Sequence, residues 1–180
     1  AQFMFYRQWN NFKEYANGRG IGIIGDIPIY VSNDSADAWS NREILTIDPE
    51  IPAPEYVAGV PPDYFSKTGQ LWGNPLYRWR DSSGRLRDDT FNWWSKRISR
   101  AISLCDIIRI DHFRGFDAFW SVKYGEETAV NGKWVNGPGQ ELFNRLKDDL
   151  GDLPLIAEDI GIITRRVKKL RDGMELPGMK

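Results

Sequence analysis

The chain has 180 residues, enough for one domain with a real core. Its 24 basic and 25 acidic residues nearly balance and form no basic stripe, so nucleic acid is not an expected partner. No apolar run approaches the ~18 residues that span a membrane, and the aromatic, polar N-terminus does not read as a signal peptide.

Phe5, Trp9, Phe12 and Ala16 recur at helical spacing and predict one helix face, stopped at Asn17-Gly18. Ile21 to Pro28 reads as a strand, with Ile24 and Asp26 on one face. Ser35 to Leu45 reads as a short helix, with Asn33, Asp34 or Ser35 as its cap. Asp48 to about Asp88 shows no sustained period and holds Pro49, Pro52, Pro54, Pro61, Pro62 and Pro75. A long irregular excursion inside a compact domain is usually functional or disordered. Tyr56, Tyr64, Phe65, Trp72, Tyr77 and Trp79 argue against disorder. The expectation is an ordered loop subdomain over 48–88, beside a site.

Phe91, Trp94, Ile98, Ala101 or Ile102, and Cys105 predict the next helix, capped by Asp88, Asp89 or Thr90. Cys105, the one cysteine, excludes an internal disulfide, fits a reducing compartment and reads as a small buried hydrophobe. Asp106 to Ile110 is an apolar, β-branched strand that runs into Asp111, the single histidine His112, and Gly115. Asn131 to Gly139 reads as a turn region. Leu142, Phe143, Leu146 and Leu150 then mark a helix stopped by Gly151. Leu153 to Gly161 is a third strand, and Thr164 caps a last helix carrying Val167 and Leu170. The basic face of that helix (Arg165, Arg166, Lys168, Lys169, Arg171) reads as solvated. Asp159 reads as a cap of the turn after the third strand. Both ends look open for a complete domain, so a piece of a larger protein is expected.

Helices alternating with strands imply a parallel sheet. Each predicted strand finishes near an acid: Asp26, Asp111 and Glu158. Strand C-termini gather the active site in a (β/α)8 barrel, and they also gather at one edge of a doubly wound sheet. The fold class expected is α/β, a segment of a (β/α)8 barrel that this chain leaves incomplete.

Glycosyl transfer needs two carboxyl groups across the bond being broken, about 5–5.5 Å apart in a retaining enzyme. Neighbouring strands lie ~4.8 Å apart, so Asp111 and Glu158 at adjacent strand ends can approach that separation. Arg109 shares a face with Asp111 and favours its ionised form. Desolvation beside Ile156 would favour the protonated form of Glu158. A structural Arg109–Asp111 ion pair is the plainer alternative. The competing enzyme chemistry is a divalent metal site built from the three acids, as in enolisation. The Arg109 charge stands against it, and no cofactor or metal is expected. Trp72 belongs to no periodic pattern, which favours a substrate contact over core packing.

Five motifs carry a resemblance: Gly25-Asp26-Ile27-Pro28-Ile29-Tyr30-Val31, Gly59-Val60-Pro61-Pro62-Asp63-Tyr64-Phe65-Ser66, Thr68-Gly69-Gln70-Leu71-Trp72-Gly73-Asn74-Pro75, Arg109 to Phe116, and Ile156-Ala157-Glu158-Asp159-Ile160-Gly161. Together with the Pro177-Gly178-Met179-Lys180 ending they resemble the 4-α-glucanotransferases, or amylomaltases, relatives of the α-amylases. The resemblance implies a (β/α)8 barrel that moves an α-1,4-glucan segment between maltooligosaccharides. It implies Asp111 as nucleophile and Glu158 as acid/base, with Arg109 and His112 around the sugar at the cleavage point. It implies Asp63, Tyr64, Phe65, Gln70 and Trp72 on a loop covering the glucan. Asp26 is expected as a supporting hydrogen-bond partner, with a simple strand terminator as the alternative. The family's third aspartate, beside a histidine downstream of the glutamate, has no counterpart here. These 180 residues alone are therefore expected to be inactive. A glucan-binding protein without turnover is the non-enzyme alternative. A cytoplasmic location is expected, or a plastid in a plant or alga.

Overall fold

The computed structural model describes residues 1–180 except Pro49, Pro52, Ile162 and Lys180. Pro49 and Pro52 of the proline-rich stretch, and Lys180 of the terminal motif, thus lie outside the described residues. The architecture is mixed α/β. In order come α1 (Gln2–Asn17), β1 (Ile24–Ile27), α2 (Ala36–Ser40), β2 (Tyr56–Val60), β3 (Gln70–Pro75), α3 (Asp88–Leu104) and β4 (Ile107–Ile110). Then follow β5 (Ala118–Lys123), β6 (Gly132–Asn136), α4 (Gln140–Leu150), β7 (Leu155–Ala157) and α5 (Arg165–Gly173).

The three strands expected from the sequence form one parallel sheet in the order β1-β4-β7. Its two faces differ. Ile108, Ile110, Leu155 and Ala157 point into a core shared with Trp94 and Ile98 of α3, Leu142, Phe143 and Leu146 of α4, and Val167 and Leu170 of α5. Ile24, Asp26, Ile107, Arg109 and Ile156 share the other face, and none of them is buried. Gly25 is required by close approach: a Cβ there would stand 2.6 Å from Cys105 Sγ and 3.0 Å from Ile108 Cδ1. Cys105 is the cap after α3 rather than a member of its apolar face, and it is only partly buried.

The stretch 48–88 is more regular than its sequence suggests. It supplies β2 and β3, which join β5 and β6 in an antiparallel sheet ordered β3-β2-β5-β6. A break in register between Val57 and Gly59, with prolines on both sides, hides the period-two signal. Residues 131–139, read as a turn, hold β6 instead. Its residues Gly132-Lys133-Trp134-Val135-Asn136 put their two large apolar side chains side by side, so no period-two alternation marks a strand. Trp120 and Trp134 belong to this β5–β6 pair, with ring centroids 5.2 Å apart.

Helix details also differ from expectation. In α1 only Ala16 is buried; Trp9 donates from Nε1 to the Leu104 carbonyl, while Phe5 and Phe12 stay exposed. Of the candidate caps, Ser35 caps α2 and Thr164 caps α5. At α3 the cap position is Arg87; Asp88 and Asp89 occupy the first turn, where a helix dipole favours acids. The basic face of α5 is partly committed to ion pairs, Arg166 to Asp117 and Arg171 to Asp159. Asp159 is therefore no simple turn cap: it takes Arg171 on one oxygen and the Met179 N–H at 2.8 Å on the other. Gly178 also bridges in parallel to Ala157, extending the parallel sheet beyond β7.

Candidate functional site

The site is built on the ends of β4 and β7. Their register pairs Arg109 with Ile156 and Ile110 with Ala157. One residue further on, Asp111 and Glu158 stand at the same level. Glu158 N–H donates to the Ile110 carbonyl at 3.0 Å, and Asp111 N–H to Ile27 on the other side at 3.0 Å. Side chains alternate along a strand, so both carboxyl groups fall on the face of Arg109 and Ile156, opposite the helices. Strand spacing of ~4.8 Å makes them neighbours.

Asp26 stands one layer lower. It pairs in register with Arg109, not with Asp111. Arg109 links the layers: Nε and Nη2 hold the two Asp26 oxygens at 3.0 and 2.7 Å, and Nη2 also reaches Asp111 Oδ1 at 3.1 Å. This charge-assisted fork is the strong form of an arginine–carboxylate contact. The Asp26 hydrogen bond, more than the Asp111 charge, pushes the Arg109 pKa up. Among the described residues no group of three or more His, Cys, Asp or Glu side chains is arranged to hold a metal ion.

Glu158 is half-buried, but the apolar wall expected from Ile156 is not what surrounds its tip. Oε2 accepts the His112 N–H at 2.9 Å and Oε1 the Ile160 N–H at 2.9 Å. His112 has a left-handed backbone (φ 51°, ψ 46°) and starts a short 3-10 turn, Phe113–Phe116. Its imidazole lies edge-on to Trp72, centroids 4.7 Å apart at 83°. Burial first, then the charge of Arg114, lowers the His112 pKa to about 4. The ring is therefore neutral at neutral pH.

Pro28, Ile29, Tyr30, Trp72, Asn74, Asp111 and His112 line a cleft of about 160 Å³. The structure thus brings Trp72 and His112 together with Asp111. Tyr30 and Asn74 carry no signal in the sequence that marks them as cleft residues, although both lie within the motifs Gly25 to Val31 and Thr68 to Pro75. Tyr30 has its phenol pKa raised by burial and, less, by Tyr77. Asn74 donates to the Val31 carbonyl at 2.9 Å and ties β3 to the chain after β1.

Asp63, Tyr64, Phe65 and Gln70 are not among the residues that line this cleft. Asp63 Oδ1 accepts the N–H groups of Phe65 and Ser66 at 2.9 and 2.8 Å, which fixes a tight turn. That turn presents Tyr64 and Phe65 to solvent, 77% and 81% exposed, with rings 4.1 Å apart. Gly69 closes the loop at φ +70°, where a Cβ would stand 2.3 Å from the Val60 carbonyl oxygen. Gln70 Oε1 accepts the Trp72 indole N–H at 3.1 Å, so Gln70 orients Trp72.

Two acids at neighbouring ends of parallel strands, beside an arginine and an aromatic-lined cleft, supply the paired carboxyl groups that glycosyl transfer uses. The sequence profile of the 4-alpha-glucanotransferases matches residues 1–180, and the chain belongs to that family. It is 52% identical over 179 residues to a 4-alpha-glucanotransferase of Clostridium butyricum, covering 99% of this chain and 36% of that protein. It is 48% identical over 178 residues to the chloroplastic/amyloplastic 4-alpha-glucanotransferase of Solanum tuberosum, covering 99% and 30%. Among solved structures it is similar to an amylomaltase of Streptococcus agalactiae in complex with acarbose, with TM-score 0.90 and 46% identity over 99% of this chain and 35% of that one. An amylomaltase of Corynebacterium glutamicum shares the fold, with TM-score 0.82 and 22% identity over 98% of this chain and 24% of that one. The chain spans about a quarter to a third of the length of these proteins.

Proposed function

We propose that the chain carries the acid pair of a retaining 4-α-glucanotransferase that moves α-1,4-glucan segments between maltooligosaccharides. The observation that carries this reading is the level placement of Asp111 and Glu158 on one face of adjacent parallel strands. Asp111 attacks the anomeric carbon while Glu158 gives its proton to the departing sugar oxygen. A covalent glucosyl ester on Asp111 results. Glu158, now a carboxylate, takes the proton of an acceptor hydroxyl as that oxygen displaces Asp111. Arg109 holds Asp111 in place, and the 160 Å³ cleft beside it seats part of the sugar at the cleavage point. Trp72, Tyr64 and Phe65 offer flat apolar faces to pyranose rings and help to keep water out.

The parallel β1-β4-β7 sheet, helix-covered on one face only, supports its assignment as part of a (β/α)8 barrel. In that reading the uncovered face lines the barrel, and 48–88 is an active-site insertion. The third aspartate implied by the family resemblance has no counterpart here, so the 180 residues alone do not turn over maltotriose. The reading needs no cofactor. Cytoplasm, or the plastid in a plant, is the setting it implies; among the described residues no helix is long and apolar enough to cross a membrane.

The test is trapping in the full-length protein with Glu158→Gln, offered α-maltosyl fluoride, a donor whose leaving group departs without a proton. A glycosyl adduct on Asp111 supports transfer. Glucan binding without an adduct supports the binding-protein alternative, and activity lost to a chelator supports the metal-dependent one.

A further inference from the structure

Glu158 is aimed by main-chain amides. The Ile160 N–H on Oε1 comes from the local turn two residues on, while the His112 N–H on Oε2 crosses from the neighbouring strand. In an extended strand successive N–H groups point to opposite sides. At His112 the left-handed backbone turns the chain so that two successive amides converge on one residue: His112 N–H on the Glu158 carboxylate, and Phe113 N–H on the Glu158 carbonyl at 3.2 Å. Among the described residues only Glu175 shares this positive φ without being glycine. L side chains avoid that region, so a histidine held there at a strand end is a constrained feature of the site. Each carboxyl oxygen accepts one amide and keeps a second lone pair, on which the acid can carry its proton.

We propose that His112 is a positioning residue that works through its backbone: its left-handed turn places the amide that aims Glu158 at the departing sugar oxygen. This role is separate from any contact its imidazole makes with sugar, and it rests on the acid/base reading of Glu158 given above.

Three variants of the full-length protein separate backbone from ring: His112→Gly, His112→Asn and His112→Val. All three remove the imidazole. Glycine and asparagine adopt the left-handed conformation readily, whereas valine resists it. Adduct formation on Asp111 is measured in a single turnover with two donors. Maltotetraose has a leaving sugar that must be protonated; α-maltosyl fluoride has a leaving group that departs without a proton. General acid catalysis contributes about 10²–10⁴-fold. His112→Val is therefore expected to lower the maltotetraose-to-fluoride rate ratio by about tenfold or more relative to His112→Gly and His112→Asn. One shared ratio for all three variants overturns the proposal. So does an equal loss on both donors in His112→Val, because a purely structural role slows both alike. If Glu158→Gln itself treats the two donors alike, the acid/base reading fails, and this proposal falls with it.

Discussion

Arg109 grips Asp26 with two near-parallel hydrogen bonds, at 3.0 and 2.7 Å, and shares one of those nitrogens with Asp111 at 3.1 Å. A guanidinium fixed from below by one carboxylate presents a fixed donor to the other. Lysine, a point charge without the fork, cannot serve both. Arg109→Lys is expected to lower kcat on maltotriose by about 10–100-fold, with a smaller change in KM, in the range typical of supporting contacts. Asp26→Asn keeps shape but removes the charge that anchors the arginine, and is expected to cost about tenfold in kcat. Steady-state kinetics of the full-length protein checks both. A change confined to KM would mean that Arg109 contacts sugar and does not hold Asp111.

Gly25 tests how β1 packs. An alanine there would put its Cβ 2.6 Å from Cys105 Sγ and 3.1 Å from Cys105 Cβ, both on the cap after α3. Gly25→Ala is expected to destabilise by about 1–3 kcal/mol, the usual range for overpacking. Removing the sulfur in Gly25→Ala/Cys105→Ala should recover part of the loss, since the two residues are in contact and their effects are not additive. Urea unfolding followed by circular dichroism measures the set.

The candidate site was legible in the sequence where chemistry and period coincide. Asp111 and Glu158 follow β-branched runs, so strand, strand end and carboxylate could be read together. What the sequence did not show was register. Asp26 looked equivalent to the other two acids, yet the pairing of Asp26 with Arg109 sets it one layer below them. Nor could a sequence show that His112 is left-handed, or that its amide serves Glu158, because a backbone donor leaves no residue-type signature. The antiparallel sheet was hidden for another reason. β2 is interrupted by a register break and β6 has too few apolar positions to alternate, so pairing with β5 decides their conformation more than local propensity does.

His112 predicts a pH dependence of stability. Its folded pKa, lowered to about 4 by burial and then by Arg114, lies below the ordinary 6.5. Between those values the unfolded chain binds a proton that the folded chain does not. Stability is therefore full above about pH 6.5 and falls as pH drops toward 4, by at most about 3 kcal/mol. Asp48, Asp89 and Asp106 have pKa values lowered chiefly by hydrogen bonds, and their loss begins only near and below the ordinary carboxylate value of 3.8. The two windows are separable. His112→Asn, which tolerates the same backbone, is expected to flatten the slope between pH 6.5 and 4.5 and leave the steeper acid limb in place. Urea midpoints measured across that range read the effect; an unchanged slope would mean that the ring is already protonated when folded.

Tyr64 and Phe65 separate stability from function most sharply. At 77% and 81% exposure they bury little, and the turn beneath them is held by Asp63, not by their rings. Tyr64→Ala and Phe65→Ala are therefore expected to shift stability by no more than about 0.5 kcal/mol. Their large apolar faces meet each other at a loop tip, ring centroids 4.1 Å apart, and stand largely open to solvent. If they close over bound glucan, removing them admits water to the glucosyl ester on Asp111, and water then competes with the acceptor hydroxyl. The expected outcome is a KM for maltooligosaccharide raised about three- to tenfold per ring, in line with one aromatic contact of about 0.5–1.5 kcal/mol. A net gain of reducing ends, which hydrolysis of the ester makes and transfer does not, should accompany it. Initial rates and reducing-end counts for full-length Tyr64→Ala/Phe65→Ala give both numbers. A variant with unchanged KM and an unchanged ratio of transfer to hydrolysis would show that the loop tip never meets the glucan.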